Sequence, residues 1–382
     1  MATGADPTQQ LIRGLEDVIV CTSQVSDVDG ERGVLTYRGY DINDLAAHAT
    51  FEETSWLLLE GELPTKAQLE QFKKSLTAAR MIPTTVLQVL KALPREAQPM
   101  ALLRTAVSAL GCADKNEAAC TVENLKTIGT RLIAQIATLG AAIWRIKNGQ
   151  DPVMPDPSLD HGANFLYMLQ GTKPSPEAAR TMDVALVLHA DHEIPASTFS
   201  AMCILSSLAD IYSAITGAIG SLKGPLHGGA NEDVLKNLAK IGGPEKVTAY
   251  LDDVQVKKGK VPGIGHRVYK AYDPRATILK RYAETASRQS SLAALYATAV
   301  ELEKQCVARF GPKGLYPNVD FFSGLVYCGL GIDPQIFTPI FAIARMAGWV
   351  ARLVEYLPEN RIFRPRALYQ GPTPRKLTTG HL

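Results

Sequence analysis

The chain has 382 residues, 46% hydrophobic and 20% charged, with a formal net charge of +2. That balance belongs to an ordinary globular protein and excludes a disordered chain, and it shows no commitment to nucleic acid or to a membrane surface. The length suits a large domain with a subsidiary one, and any electropositive site must be local.

The start, MATGADPTQQ, lacks the basic residues and apolar run of a signal peptide. No later stretch approaches the roughly 18 consecutive apolar residues of a spanning helix, so the expectation is a cytoplasmic protein. Six cysteines (Cys21, Cys112, Cys120, Cys203, Cys306 and Cys328) are scattered without CxxC or Cys/His spacing, so reduced and mostly buried thiols are expected.

Strand signals are confined to CTSQVSDVDGERGVLTYRGYDI, where a DG pair between β-prone runs predicts an N-terminal hairpin. Two amphipathic helices follow in residues 42–80, separated by GELP, the second capped by Thr65. A longer helix ends at the Asn148-Gly149 stop, and the next starts with Ser175 as cap before Pro176. Residues 197–224, rich in Ala, Ser and Gly, predict a helix that neighbours approach closely, and hence a central one. Shorter helices alternate with turns up to Gly331, a long apolar helix returns in residues 334–358, and the tail from Glu359 is extended. The fold class is all-α, with a large helical domain, a smaller inserted one and a small N-terminal β-hairpin.

Four stretches place polar chemistry where helix and turn rules do not require it. In GPLHGGANEDVL, His227 sits among glycines close to a helix start, where the dipole favours a neutral ring that can polarise a carbonyl; a surface cap is the alternative. In YPNVDFFSGLVY, Asp320 lies against two phenylalanines, which suits either a desolvated base or a helix N-cap. HADHEIPAS puts His189 and His192 on one helix face, without the spacing of a zinc hydrolase. His192 reads as a donor at a helix end and His189 as a satisfied core histidine.

VPGIGHRVYKAYDPRA is the richest of the four. Gly263 and Gly265 allow a ligand close to the backbone, and Arg267, Lys270 and Arg275 suit carboxylates or phosphates, with a solvated basic loop as the alternative, preferred for Lys257, Lys258 and Lys260 just upstream. The spacing supports neither a dinucleotide fold nor a P-loop. Arg345, in the apolar FTPIFAIARMAGWVARL, must be paired or face an anion. Arg364 lies in the tail stretch FRPRALYQG.

Taken in order, HADHE, GPLHGGANE, PGIGHRVYKAYDPR, NVDFFSG, the Arg345 helix and RPRALYQG resemble the citrate synthase family. The resemblance runs from about GVLTYRGYDI to the end. It implies a homodimer, with a large domain (1–222 and 329–382) and a small domain (223–328) that closes over acetyl-CoA and oxaloacetate, with no cofactor, metal or nucleic acid. It further implies that Asp320 removes a methyl proton, that His227 stabilises the enol and that His266 acts on the oxaloacetate ketone. His192, Arg275, Arg345 and Arg364 would hold oxaloacetate, with Arg364 reaching the partner's site. Lys260, Val261, Pro262, Gly263, Ile264 and Gly265 would lie against CoA, with Arg267 and Lys270 at its phosphates. The alternatives are 2-methylcitrate synthase, which takes propionyl-CoA, and a non-catalytic scaffold; the second tail arginine, Arg366, favours citrate.

Overall fold

The computed structural model describes residues 11–115, 120–288, 292–372 and 375; the opening ten residues, read above for a leader, lie outside them. The β-prone start forms β1 (Ser26–Asp29), β2 (Val34–Tyr37) and a two-residue β3 (Tyr40–Asp41), antiparallel in that order. Ser26 pairs with Tyr37 and Asp29 with Val34, so the DG pair opens a four-residue turn, Gly30 to Gly33. The third strand, not expected from sequence, is reached through Arg38 and Gly39, both at positive φ.

Sixteen α-helices follow among the described residues. They are α1 (Ile42–His48), α2 (Phe51–Glu60), α3 (Lys66–Ala79), α4 (Thr84–Ala92), α5 (Pro99–Ala113), α6 (Val122–Lys147), α7 (His161–Gln170) and α8 (Pro176–His189). Then come α9 (Ala196–Leu205), α10 (Ile211–Leu222), α11 (Ala230–Ile241), α12 (Val247–Val256), α13 (Pro274–Ser287), α14 (Ala293–Phe310), α15 (Asp320–Gly329) and α16 (Phe337–Tyr356).

The caps at Thr65 and Ser175 form as expected, each side chain accepting from the backbone N–H three residues on. The first of the two helices expected in residues 42–80 is divided, because Thr50 and Glu53 form a capping box that starts α2 at Phe51, after α1 has ended at His48.

The centre differs from expectation. Residues 197–224 break into α9 and α10, and α10 leaves Ser213, Thr216, Gly217 and Gly220 incompletely covered. The core axis is the contact of α6 with α16, buried respectively from Leu132 to Ile143 and from Phe337 to Val354. A Cβ on Gly129 would come within 2.1 Å of Val350, so glycine is what lets these helices approach. Each large side chain removed from water there contributes about 1.5–3 kcal/mol. Contrary to the sequence reading, Pro334–Glu359 is long and apolar enough to cross a membrane, but its apolar window is wholly buried within the protein, as a core helix would be.

Helices α2, α5, α6, α7, α8, α9 and α10 pack around this axis, while α11, α12, α13, α14 and α15 pack mainly on one another. The two groups meet where α13 touches α1 and α8. At that junction the turn after α8, the loops before α11 and α13, and the start of α15 come together against α16.

Candidate active site

Helix α8 ends at His189, so His192 lies beyond it in a turn and the two histidines do not share a helix face. Tyr37 pins this turn: its hydroxyl lies 2.9 Å from the Asp191 carbonyl and accepts from the Asp191 N–H at 3.2 Å. The buried Asp191 carboxylate pairs with Arg352 Nη2 at 2.7 Å and accepts from Ser26 Oγ at 2.7 Å. Gly348 of α16 lies so close that a Cβ would fall 2.3 Å from the Ala190 carbonyl. His189 is only half satisfied, because Nδ1 donates to the Ala185 carbonyl at 2.7 Å while the buried Nε2 has no partner.

Gly263 and Gly265 both have positive φ, 75° and 93°, a conformation that favours glycine. A Cβ on Gly263 would also meet Val234 and Phe321 at 2.7 and 2.9 Å. The loop is clipped to the segment before α15: Gly265 N donates to the Tyr316 carbonyl at 2.7 Å, and Asn318 N to the Gly263 carbonyl at 2.9 Å. On its other side the hairpin turn meets it, the Gly30 carbonyl accepting from Lys270 N at 2.9 Å.

These contacts fix His266. Its Nδ1 accepts from the N–H groups of Val268 at 3.0 Å and Tyr269 at 3.2 Å, so in the neutral ring the proton sits on Nε2. Burial, helped by the nearby Arg275, lowers the His266 pKa to about 4. The ring lies 5.1 Å from that of His192 and 4.9 Å from Tyr269, whose hydroxyl is 3.3 Å from His192 Nε2. Burial, with Arg275 adding to it, holds His192 well below its usual pKa.

Arg275 is buried and forked onto Asp273, with Nε to Oδ1 at 3.0 Å and Nη2 to Oδ2 at 2.8 Å. Burial alone would lower its pKa, but the Asp273 carboxylate raises it. Arg345 is equally buried, lies 4.8 Å over the Phe341 ring and donates from Nε to the His189 carbonyl at 2.8 Å. Its Nη1 has no hydrogen-bond partner, and burial lowers the guanidinium to about 10.

Asp320 is the first residue of α15, not its cap; the preceding turn is closed by Asn318 Oδ1, which accepts from Asp320 N at 2.9 Å. Burial raises its carboxyl to about 6, against the pull of Arg275 and Arg345 and with a contribution from Asp273. His227 Nε2 lies 2.8 Å from Ser197 Oγ, which also accepts from Trp349 Nε1 at 3.2 Å. Because the indole N–H can only donate, the serine proton is free to point at Nε2; with the serine as donor the ring proton of His227 lies on Nδ1. Burial, with Arg345 next in effect, lowers His227 to about 4; the helix dipole invoked from sequence is not the main cause.

His192, His227, His266, Arg275, Asp320 and Arg345 are therefore one electrostatically connected cluster. Val261 and Gly263 are buried beside it, Pro262, Ile264 and Gly265 are partly covered, and Lys260, Arg267 and Lys270 are exposed. Arg364 is not brought to the cluster within the chain; it is exposed on the tail, just after Phe363, whose ring stacks on Tyr356. Tyr269, Asp273, Ser197, Asp191 and Tyr37 were missed from sequence. Tyr269, Asp273, Asp191 and Ser197 lay in stretches already singled out, whereas nothing local marks Tyr37.

Neutral imidazoles, a carboxylate of raised basicity and buried guanidiniums on a helical frame give an enzyme the means to move protons beside a bound anion. The family model for the citrate synthase C-terminal domain matches residues 14–366. Citrate synthase of Deinococcus radiodurans is 47% identical over 361 residues, covering 94% of this chain and 96% of that one. A crystal structure of citrate synthase from Pyrobaculum aerophilum, 42% identical, covers 98% of this chain and 96% of its own with a TM-score of 0.92. Citrate synthase of Thermoplasma acidophilum, solved as a ternary complex with carboxymethyl coenzyme A and oxaloacetate, is 36% identical, with a TM-score of 0.93 and coverage of 97% and 99%. The chain belongs to the citrate synthase family, a family of acyltransferases.

Proposed function

We propose that the protein condenses acetyl-CoA with oxaloacetate and water to give citrate and CoA. The observation that carries this reading is the unpartnered Nη1 of Arg345, a buried guanidinium group left for an anion beside Arg275 and three neutral imidazoles. A dicarboxylate held there completes those hydrogen bonds. The ternary complex of the Thermoplasma relative supports the same pair of substrates.

In this reading Asp320 takes a methyl proton from acetyl-CoA while His227 Nδ1–H stabilises the charge developing on the thioester oxygen. The enol carbon attacks the oxaloacetate ketone carbon, and His266 Nε2–H supplies the proton to the ketone oxygen. Neutral donors suit both tasks, because an imidazolium would also pair with Asp320 and weaken the base. Water then cleaves the citryl thioester, releasing the CoA thiol.

The assignment of residues 223–328 as a closing domain is supported by the mutual packing of α11, α12, α13, α14 and α15. A homodimer, as the family resemblance implies, belongs to the same reading. Arg364, exposed on the tail just after Phe363 and not brought to its own cluster, suits a role in the partner's site. The exposed Arg267 and Lys270 suit CoA phosphates.

Purified protein given oxaloacetate and acetyl-CoA is expected to release free thiol, and Asp320→Ala to lose about 10²–10⁴-fold of kcat while remaining folded. No release with acetyl-CoA or propionyl-CoA would sink the enzyme reading in favour of a scaffold. The ratio of kcat/KM for the two thioesters decides between citrate and 2-methylcitrate.

A further inference from the structure

We propose that Asp273 is a positioning residue that ties the oxaloacetate half of the site to the thioester half. Its carboxylate is buried and accepts four hydrogen bonds. Three come from Arg275: the backbone N–H and Nε to Oδ1, each at 3.0 Å, and Nη2 to Oδ2 at 2.8 Å. The fourth comes from Val319 N to Oδ2 at 3.1 Å, one residue before Asp320. One side chain thus caps α13, orients the guanidinium at its start and holds the chain that delivers Asp320. Neither Arg275 nor the start of α15 can shift without breaking the same carboxylate's bonds.

The arrangement also sets the charge that Asp320 meets. The groups facing Asp320 are Asp273 and Arg275 at the start of α13, Arg345 on α16 and Tyr327 on α15 itself. On α11, Glu232 pairs with Lys236, and on α14 Glu303 is held by Lys280 and Tyr272. Of these, Asp273 is the one that both repels a proton's departure from Asp320 and blunts the opposing pull of Arg275. It adds to the burial that keeps the base strong, without touching substrate.

This inference rests on the condensing reading, and its test separates the two. Asp273→Asn keeps the shape but removes the charge. The expected results are weaker oxaloacetate binding by calorimetry, about 10²-fold, and an acid limb of kcat/KM moved about one pH unit lower. Loss of folded enzyme would scale the profile without moving its midpoint. If Asp273→Asn does not fold, Asp273→Glu decides, because it keeps the charge but spoils the fork: its midpoint should stay near the wild-type value while the oxaloacetate KM rises. An unmoved midpoint with wild-type oxaloacetate affinity in Asp273→Asn, or wild-type KM in Asp273→Glu, overturns the role of Asp273. Failure of the condensing reading would instead appear as wild-type protein that releases no thiol.

Discussion

Asp320 opens its helix without closing the turn before it, a task that Asn318 takes, so its carboxylate is left free of capping. A base must be ionised to accept a proton, and burial has brought this one to about 6. Activity should therefore be full above that value and fall as pH drops through it, whereas His227 and His266, near 4, remain neutral throughout the limb. A kcat/KM profile with acetyl-CoA at saturating oxaloacetate checks this; a limb near 4 would mean that burial does not raise the base's carboxyl. At this scale the sequence was informative about side chains that break a pattern, such as Asp320 between apolar residues or Arg345 in an apolar helix. It was silent on partners. Ser197 is one polar residue in a helix rich in them, and only the meeting of α9 with Trp349 of α16 gives it a task.

The turn carrying His192 is held by elements distant in sequence: Tyr37 of β2, Ser26 of β1 and α16. Gly348 shows how closely α16 approaches. A methyl group there would meet the Ala190 carbonyl at 2.3 Å and Asp191 Oδ1 at 2.5 Å, neither of which can yield without moving the turn. Gly348→Ala is expected to cost about 1–3 kcal/mol by overpacking and to raise the oxaloacetate KM with it. Thermal unfolding and kinetics check the pair; a lower Tm with unchanged KM would show that the turn is free to relax. Helix termini were legible wherever cap chemistry was local, as at Thr65, Ser175 and Gly149. The start of α2 was legible too, since Thr50 and Glu53 have capping-box spacing, but the continuous apolar pattern masked it. The role of α10 was not legible, because small residues suit equally a helix enclosed by its own chain and one that leaves a face open.

At the scale of the molecule, the all-α class followed from periodicity, and the cluster from five of the six motifs, the tail with Arg364 lying outside it. The core axis did not, since the α6 and α16 contact depends on which glycines meet which branched side chains. The position of Arg364 bears on assembly. If this arginine serves the partner's site, Arg364→Ala alone and Asp320→Ala alone should each be nearly inactive, yet mixed subunits should recover activity, because one site of each heterodimer then has both wild-type residues. Recovery near one quarter of the wild-type rate is expected after denaturation and refolding of an equal mixture, about half the dimers being mixed with one intact site each. No recovery would place Arg364 in its own subunit's site or outside catalysis.

The hairpin turn has a temporal consequence. Gly30 leaves the ribosome early, yet its carbonyl accepts from Lys270 N, and the space where its side chain would be is taken by the Val268 carbonyl. Contacts of such long sequence separation form late, after most of the loop-closure entropy has been overcome. The first strands to be synthesised therefore wait for the middle of the chain, and His266 acquires its final setting only when nearly the whole polypeptide is present. Asp320 and Arg345 come later still, so the cluster is complete only once most of the chain has been made.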